Sequence, residues 1–171
     1  RGGGSLGVPE KRAMKLVTVD IADMQVSNEP DAVLVTYALG SCIAVMVHDP
    51  IRRASGMIHY MLPQASTAPE KAKAKPYMFA DTGVPELFHA MYRLGSQKRD
   101  LVVKVTGGSA MTTGDMFEIG KRNHLILRKL LWKAGVPIAA EDVGGTVFRT
   151  AKLFNDTGLV RIKTEATEHE L

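Results

Sequence analysis

From Lys15 to Ile21 apolar and polar residues alternate, so that Val17, Val19 and Ile21 share one face, and Ala32 to Tyr37 is rich in β-branched and aromatic residues. Both patterns predict strands. After the turn Leu39-Gly40-Ser41, two apolar runs, Cys42 to His48 and Ser55 to Met61, flank Asp49-Pro50-Ile51-Arg52-Arg53-Ala54. Pro in the first half of such a loop predicts a β-hairpin. Gln64 to Lys75 carries Pro, Ser, Thr and alternating Lys and Ala without periodicity, which predicts a surface loop able to act as a lid.

Helical spacing follows. Val84, Leu87, Phe88 and Met91 recur at i, i+3, i+4 and i+7 behind Thr82-Gly83, with Pro85 early and Gly95 just past the end. A second helix is predicted over Asn123 to Ala134, where Leu127, Leu130, Leu131 and Ala134 align ahead of Gly135 as a C-cap. Between the helices, Leu101 to Thr106 reads as a strand entering Gly107-Gly108. Val136 to Ala140, Thr146 to Phe154 and Leu159 to Lys163 read as closing strands, and the polar tail from Thr164 is expected to fray. Hairpins without regular βαβ alternation, with two main helices, predict an α+β fold: a layered α/β sandwich with a mixed, largely antiparallel sheet system. The expected organisation is a tail over residues 1–13, one domain over 14–163 and a polar tail over 164–171.

Composition narrows the function classes. At 45% hydrophobic residues with mixed charge signs, the chain is globular, and no apolar run approaches the roughly 18 residues of a membrane helix. The net charge of +4 is scattered without the aromatic interleaving of a single-strand binding platform, which argues against nucleic acid as a partner. The single cysteine rules out an internal disulfide and a multi-thiolate metal site, fits a cytoplasmic location, and leaves one free thiol to explain.

That thiol, Cys42, follows a Gly-Ser turn at the mouth of a strand, where it can be exposed while backbone N–H groups converge on an oxyanion. A lone cysteine among Ile43, Val45 and Val47 is more often a small buried apolar side chain. His59 shifts the balance. With the hairpin loop centred near Ile51-Arg52, His59 falls opposite Ala44 and Met61 opposite Cys42, making Cys42 and His59 diagonal neighbours with Cα atoms roughly 7–8 Å apart. A slip of one residue would put them on opposite faces. Thr36, just before the turn, places a hydroxyl near the same spot, although an ordinary strand threonine explains it equally. Gly114 with Gly120-Lys121 misses the phosphate-loop pattern, and His48, Asp49 and His59 lack metal-ligand spacing, so no metal or cofactor is expected. Gly107-Gly108-Ser109 and Gly144-Gly145-Thr146, each beside a predicted strand, read as tight turns.

These segments together resemble the chemoreceptor glutamine deamidase family, CheD, from about Met14 to Lys163. The resemblance is carried by Leu39-Gly40-Ser41-Cys42, His59 with Met61-Leu62-Pro63, Phe79-x-Asp81-Thr82, Lys104 with Gly107-Gly108, Ile119-Gly120-x-x-Asn123, and Asp142-x-Gly144-Gly145 with Arg149. It implies a cysteine enzyme converting receptor glutamines to glutamates with a Cys-His-Thr triad, whose roles fall on Cys42, His59 and Thr36. Cys42 would act as a thiolate with its pKa lowered by His59, and the backbone at Gly40, Ser41, Gly107 and Gly108 would bind the oxyanion or substrate. Phe79 stands where the family often has tyrosine. The family fold is similar to the catalytic domain of bacterial toxins that deamidate glutamine in host GTPases. The implied partners are the cytoplasmic helices of chemoreceptors and the chemotaxis phosphatase CheC. A thioester enzyme of this kind would also hydrolyse glutamyl methyl esters; the rival reading is a non-catalytic adaptor that regulates receptors or the phosphatase by contact.

Overall fold

The computed structural model describes residues 13–111 and 118–171. Residues 1–12 of the expected tail, and Gly114, lie outside the described residues. Among the described residues, ten strands form two five-stranded sheets. The first contains β1 (Lys15–Thr18), β3 (Ala32–Leu39), β8 (Arg149–Phe154), β9 (Val160–Lys163) and β10 (Glu168–Glu170), in that order. The second runs β2 (Asp23–Ser27), β5 (Ala54–Tyr60), β4 (Ile43–Asp49), β6 (Val102–Gly107), β7 (Ala140–Val143). Only β1–β3 and β6–β7 pair in parallel. This is the α+β sandwich the hydrophobic pattern predicts.

Every residue of β4 and β5 is buried. A sheet covered on both faces needs such unbroken apolar runs. One face of the hairpin, with Ile43, Val45, Val47, Ile58 and Tyr60, packs on α2 (Ala80–Arg93) and α3 (Ile119–Ala134), while Ala44, Met46 and Met57 pack on Leu34, Leu39, Ala151 and Leu153 of the first sheet. The layers are therefore sheet, sheet and helices. Strand β9 alternates buried and exposed because its outer face meets solvent.

Several expectations shift. The first strand stops at Thr18, and Ile21 is exposed, because the chain turns away at Ala22 with φ of 59°. Strand β2 was not anticipated, although Asp23, Gln25 and Ser27 alternate with Met24 and Val26 in its sequence. Gln64 to Lys75 is not a loop: it holds a 3-10 turn (Ala65–Thr67) and a short helix, α1 (Pro69–Ala74). Helix α1 buries none of its residues, so it shows no apolar periodicity, and Pro at its start with Ala and Lys behind suffices to form it. The strand expected over Val136 to Ala140 begins instead at Ala140, beyond Pro137, and the segment from Thr146 becomes strand only at Arg149. The tail does not fray: β10 pairs with β9, and the Lys104 ammonium donates to the Leu171 carbonyl at 2.6 Å.

Candidate active site

The hairpin register is the predicted one, with Ala44 opposite His59 and Ile43 opposite Tyr60. Cys42, one residue before β4, therefore lies on the His59 side of the second sheet, facing the first sheet, and packs against its core cluster. Thr36 faces His59 from β3 of the opposite sheet. The three residues expected to work together converge between the two sheets.

The hydrogen bonds here determine the histidine tautomer. Thr36 Oγ1 donates its only proton to the Val19 carbonyl at 2.7 Å and lies 2.8 Å from His59 Nδ1. A hydroxyl whose proton is engaged can only accept, so Nδ1 must carry the hydrogen. His59 Nε2 is then an unprotonated lone pair, and it is buried without a hydrogen-bond partner among the described residues. A buried polar atom left unpaired in this way needs a reason.

Burial also sets the charge states. His59 is fully buried, and desolvation lowers its pKa to about 4. Desolvation pushes the Cys42 thiol above its ordinary value, with its own amide pulling the other way. The expectation of a thiol lowered by His59 is not met: the resting pair is neutral thiol and neutral imidazole. Alkylation of Cys42 by iodoacetamide, which consumes thiolate, should therefore rise with pH to a midpoint above the ordinary 9.0 of cysteine. A midpoint near neutrality would contradict a neutral resting pair.

The turn from Gly40 to Cys42 is held by its carbonyls. The Gly40 oxygen accepts from the Ser109 amide at 2.9 Å, the Ser41 oxygen from Asn123 Nδ2 at 3.0 Å, and the Cys42 oxygen from the Gly108 amide at 2.9 Å. The amides of Gly40, Ser41 and Cys42 donate to no backbone carbonyl among the described residues. Of the expected oxyanion groups, the Gly40 and Ser41 amides thus have no backbone acceptor among the described residues, whereas the Gly108 amide is already spent on Cys42. Gly107 acts through close approach: at φ of 110°, a Cβ there would collide with the Cys42 carbonyl.

Asn123 is the residue whose placement the sequence did not reveal. Fully buried near the start of α3, its Nδ2 bridges the carbonyls of Ser41 and Met61, at 3.0 and 2.8 Å, tying the cysteine turn to the end of the histidine strand. Its own carbonyl accepts from the Tyr60 hydroxyl at 2.7 Å. An asparagine on the buried side of an otherwise apolar helix face was the available signal. Arg149 links Ser109 Oγ, at 2.8 Å, to Asp142, at 3.1 Å, behind the same turn. Phe79 is fully buried and its segment pairs with Leu62, beyond the histidine strand. Among the described residues, no group of three His, Cys, Asp or Glu side chains could hold a metal, and no helix is long and apolar enough to cross a membrane.

The family model described as CheD chemotactic sensory transduction matches residues 61–164. A probable chemoreceptor glutamine deamidase CheD 2 of Anaeromyxobacter dehalogenans is 47% identical over 152 residues, 88% of this chain and 96% of its own. A probable chemoreceptor glutamine deamidase CheD 1 of Syntrophus aciditrophicus is 49% identical over 149 residues, 86% of this chain and 93% of its own. Among solved structures, the hypothetical protein YfiH of Bacillus licheniformis superposes with a TM-score of 0.43 at 16% identity, covering 70% of this chain and 49% of that one.

Proposed function

The chain belongs to the CheD family, and from that premise we propose that it deamidates glutamine side chains of chemoreceptors, with Cys42 as nucleophile, His59 as base and Thr36 as the residue that fixes the ring. The observation that carries this reading is the bare, buried Nε2 of His59 on the Cys42 side of the hairpin.

As the pair rests neutral, the sulfur is activated on attack. His59 Nε2 takes the thiol proton while Sγ bonds to the carboxamide carbon, and the amides of Ser41 and Cys42, which donate to no backbone carbonyl among the described residues, receive the negative oxygen. The imidazolium returns its proton to the departing ammonia, leaving a glutamyl thioester on Cys42. Water then attacks the thioester, again losing its proton to Nε2; the C–S bond breaks, Cys42 Sγ takes that proton back, and a glutamate side chain is left on the receptor. Each proton transfer is worth on the order of 10²–10⁴ in rate. Closure of the Cys42–His59 distance accompanies substrate binding, since catalytic hydrogen bonds often tighten only in the complex. A methyl ester differs only in its leaving group, so the same thioester forms from glutamyl methyl esters. The substrate lies on the cytoplasmic helices of the receptors, and CheC is a second partner.

Incubating a receptor cytoplasmic fragment with the protein should convert specific glutamines to glutamates, read as an amide-to-acid mass change by peptide mass spectrometry. Cys42→Ala and His59→Ala should both abolish it. Conversion that persists in Cys42→Ala overturns the proposal, and receptor signalling that survives both substitutions favours the adaptor instead.

A further inference from the structure

Helix α3 carries Lys121, Arg122, Arg128, Lys129 and Lys133, and no carboxylate from Ile119 to Ala134. Lys121 pairs with Glu118 just ahead of the helix, but the other four cations form no ion pair among the described residues. At 3.6 residues per turn, Leu125 and Trp132 line up along the outer face, and all five cations lie within roughly 90° of that line. Both apolar side chains stand in solvent: Leu125 is 54% exposed and Trp132 82% exposed. A cleft of about 410 Å³ opens beside Trp132, between α3 and the segment 136–140, with Leu131, Val136 and Ile138 in its wall.

An isolated exposed leucine is unremarkable, and a charged helix face is normally just solvated. An exposed Trp beside a cleft with both apolar and polar walls, Glu141 among them, and among five cations of which four have no ion pair among the described residues, has the composition of a binding hot spot. Its charge selects the occupant. A second copy of this chain docking face to face would set five cations against five. A membrane surface calls for a wide apolar face, whereas the apolar side of α3, with Leu127 and Leu131, is already buried in the core. We propose that this ridge docks an acidic α-helix of the protein substrate, one whose carboxylates flank an apolar stripe. The site rests on the deamidase reading for the identity of that substrate. Asn123, on the opposite side of α3, holds the Cys42 turn, so a helix docked on the ridge is fixed relative to the nucleophile through one rigid element.

Trp132 is the only tryptophan in the chain, so its fluorescence reports this site alone. A tryptophan-free receptor cytoplasmic fragment titrated into the Cys42→Ala protein should shift Trp132 emission to the blue and saturate. The Arg128→Glu/Lys129→Glu double variant, with an unchanged melting temperature, should bind roughly tenfold or more weakly, and added salt should weaken wild-type binding. Calorimetric binding of the fragment without a shift in emission, equal affinity for the double variant, or no binding at all overturns the proposal. A shift produced by phosphatidylglycerol–phosphatidylcholine vesicles and not by the fragment assigns the ridge to a membrane instead. If the active protein leaves the fragment's glutamines intact while the shift persists, the deamidase reading fails and the docking site stands.

Discussion

Thr36→Val should lower kcat by about 10²–10⁴ while the protein still folds, the scale expected when a catalytic histidine loses the group that fixes its tautomer. Valine matches threonine in shape but accepts no hydrogen bond. His59 Nδ1–H would then be buried unpaired, and the proton could move to Nε2, the atom that must accept from Cys42. The Val19 carbonyl would also lose its 2.7 Å donor. An unsatisfied buried group costs about 1–3 kcal/mol, so a modest fall in stability should accompany the loss of rate. Thr36→Ser keeps the oxygen and should restore most of the activity. Turnover of Thr36→Val within a few-fold of wild type would show that the Thr36–His59 contact does not set the base. Since His59 is neutral above about pH 4, wild-type kcat/KM should have its acid limb near that value and not near 6.5. Protonating Nε2 removes the base, so activity falls as pH drops through this range.

Gly107→Ala should cost the most stability of any single methyl added near the site. Its Cβ would land on the Cys42 carbonyl, which is backbone and cannot swing aside, and φ of 110° is itself strained for alanine. Strained backbone of this kind costs about 1–3 kcal/mol, and the collision adds to it. For a domain of this size about 3 kcal/mol corresponds to a fall of roughly 6–12 °C in Tm, to be read by calorimetry. Whatever folds should be nearly inactive, because relief of the clash moves the cysteine turn away from β6. Gly108→Ala makes a graded comparison: φ of 66° is accessible to alanine at modest cost, and its Cβ meets nothing closer than 3.1 Å. It should lose clearly less stability. Equal losses at the two positions would contradict the role given to the Gly107–Cys42 approach.

The part of the site that local pattern could specify was legible in the sequence. The six-residue loop Asp49 to Ala54 between two apolar runs, centred near Ile51-Arg52, sets hairpin parity, and parity alone puts Cys42 and His59 on one face. What depends on distant pairing was not legible. The acceptor role of Thr36 follows from its bond to Val19, which exists because β1 runs parallel to β3. The upward shift of the thiol depends on how deeply the turn packs between the sheets, which no local motif encodes. Asn123 was visible as a motif residue but not as the clamp between Ser41 and Met61, since those carbonyls meet only when α3 lies across the hairpin. The surplus strand β10 was hidden for a related reason: its exposed, charged residues resemble a tail until β9 offers a free edge.

In the proposed mechanism the glutamyl group of the substrate is transferred to Cys42 on its way to glutamate. Hydroxylamine added during turnover of a receptor fragment tests it directly, because it intercepts a thioester and leaves a hydroxamate where water would leave an acid. With the active protein, mass spectrometry should find glutamyl hydroxamate at the same positions that otherwise become glutamate, and neither product with Cys42→Ala. Glutamate formed at those positions with no hydroxamate, or hydroxamate formed without Cys42, would contradict the mechanism.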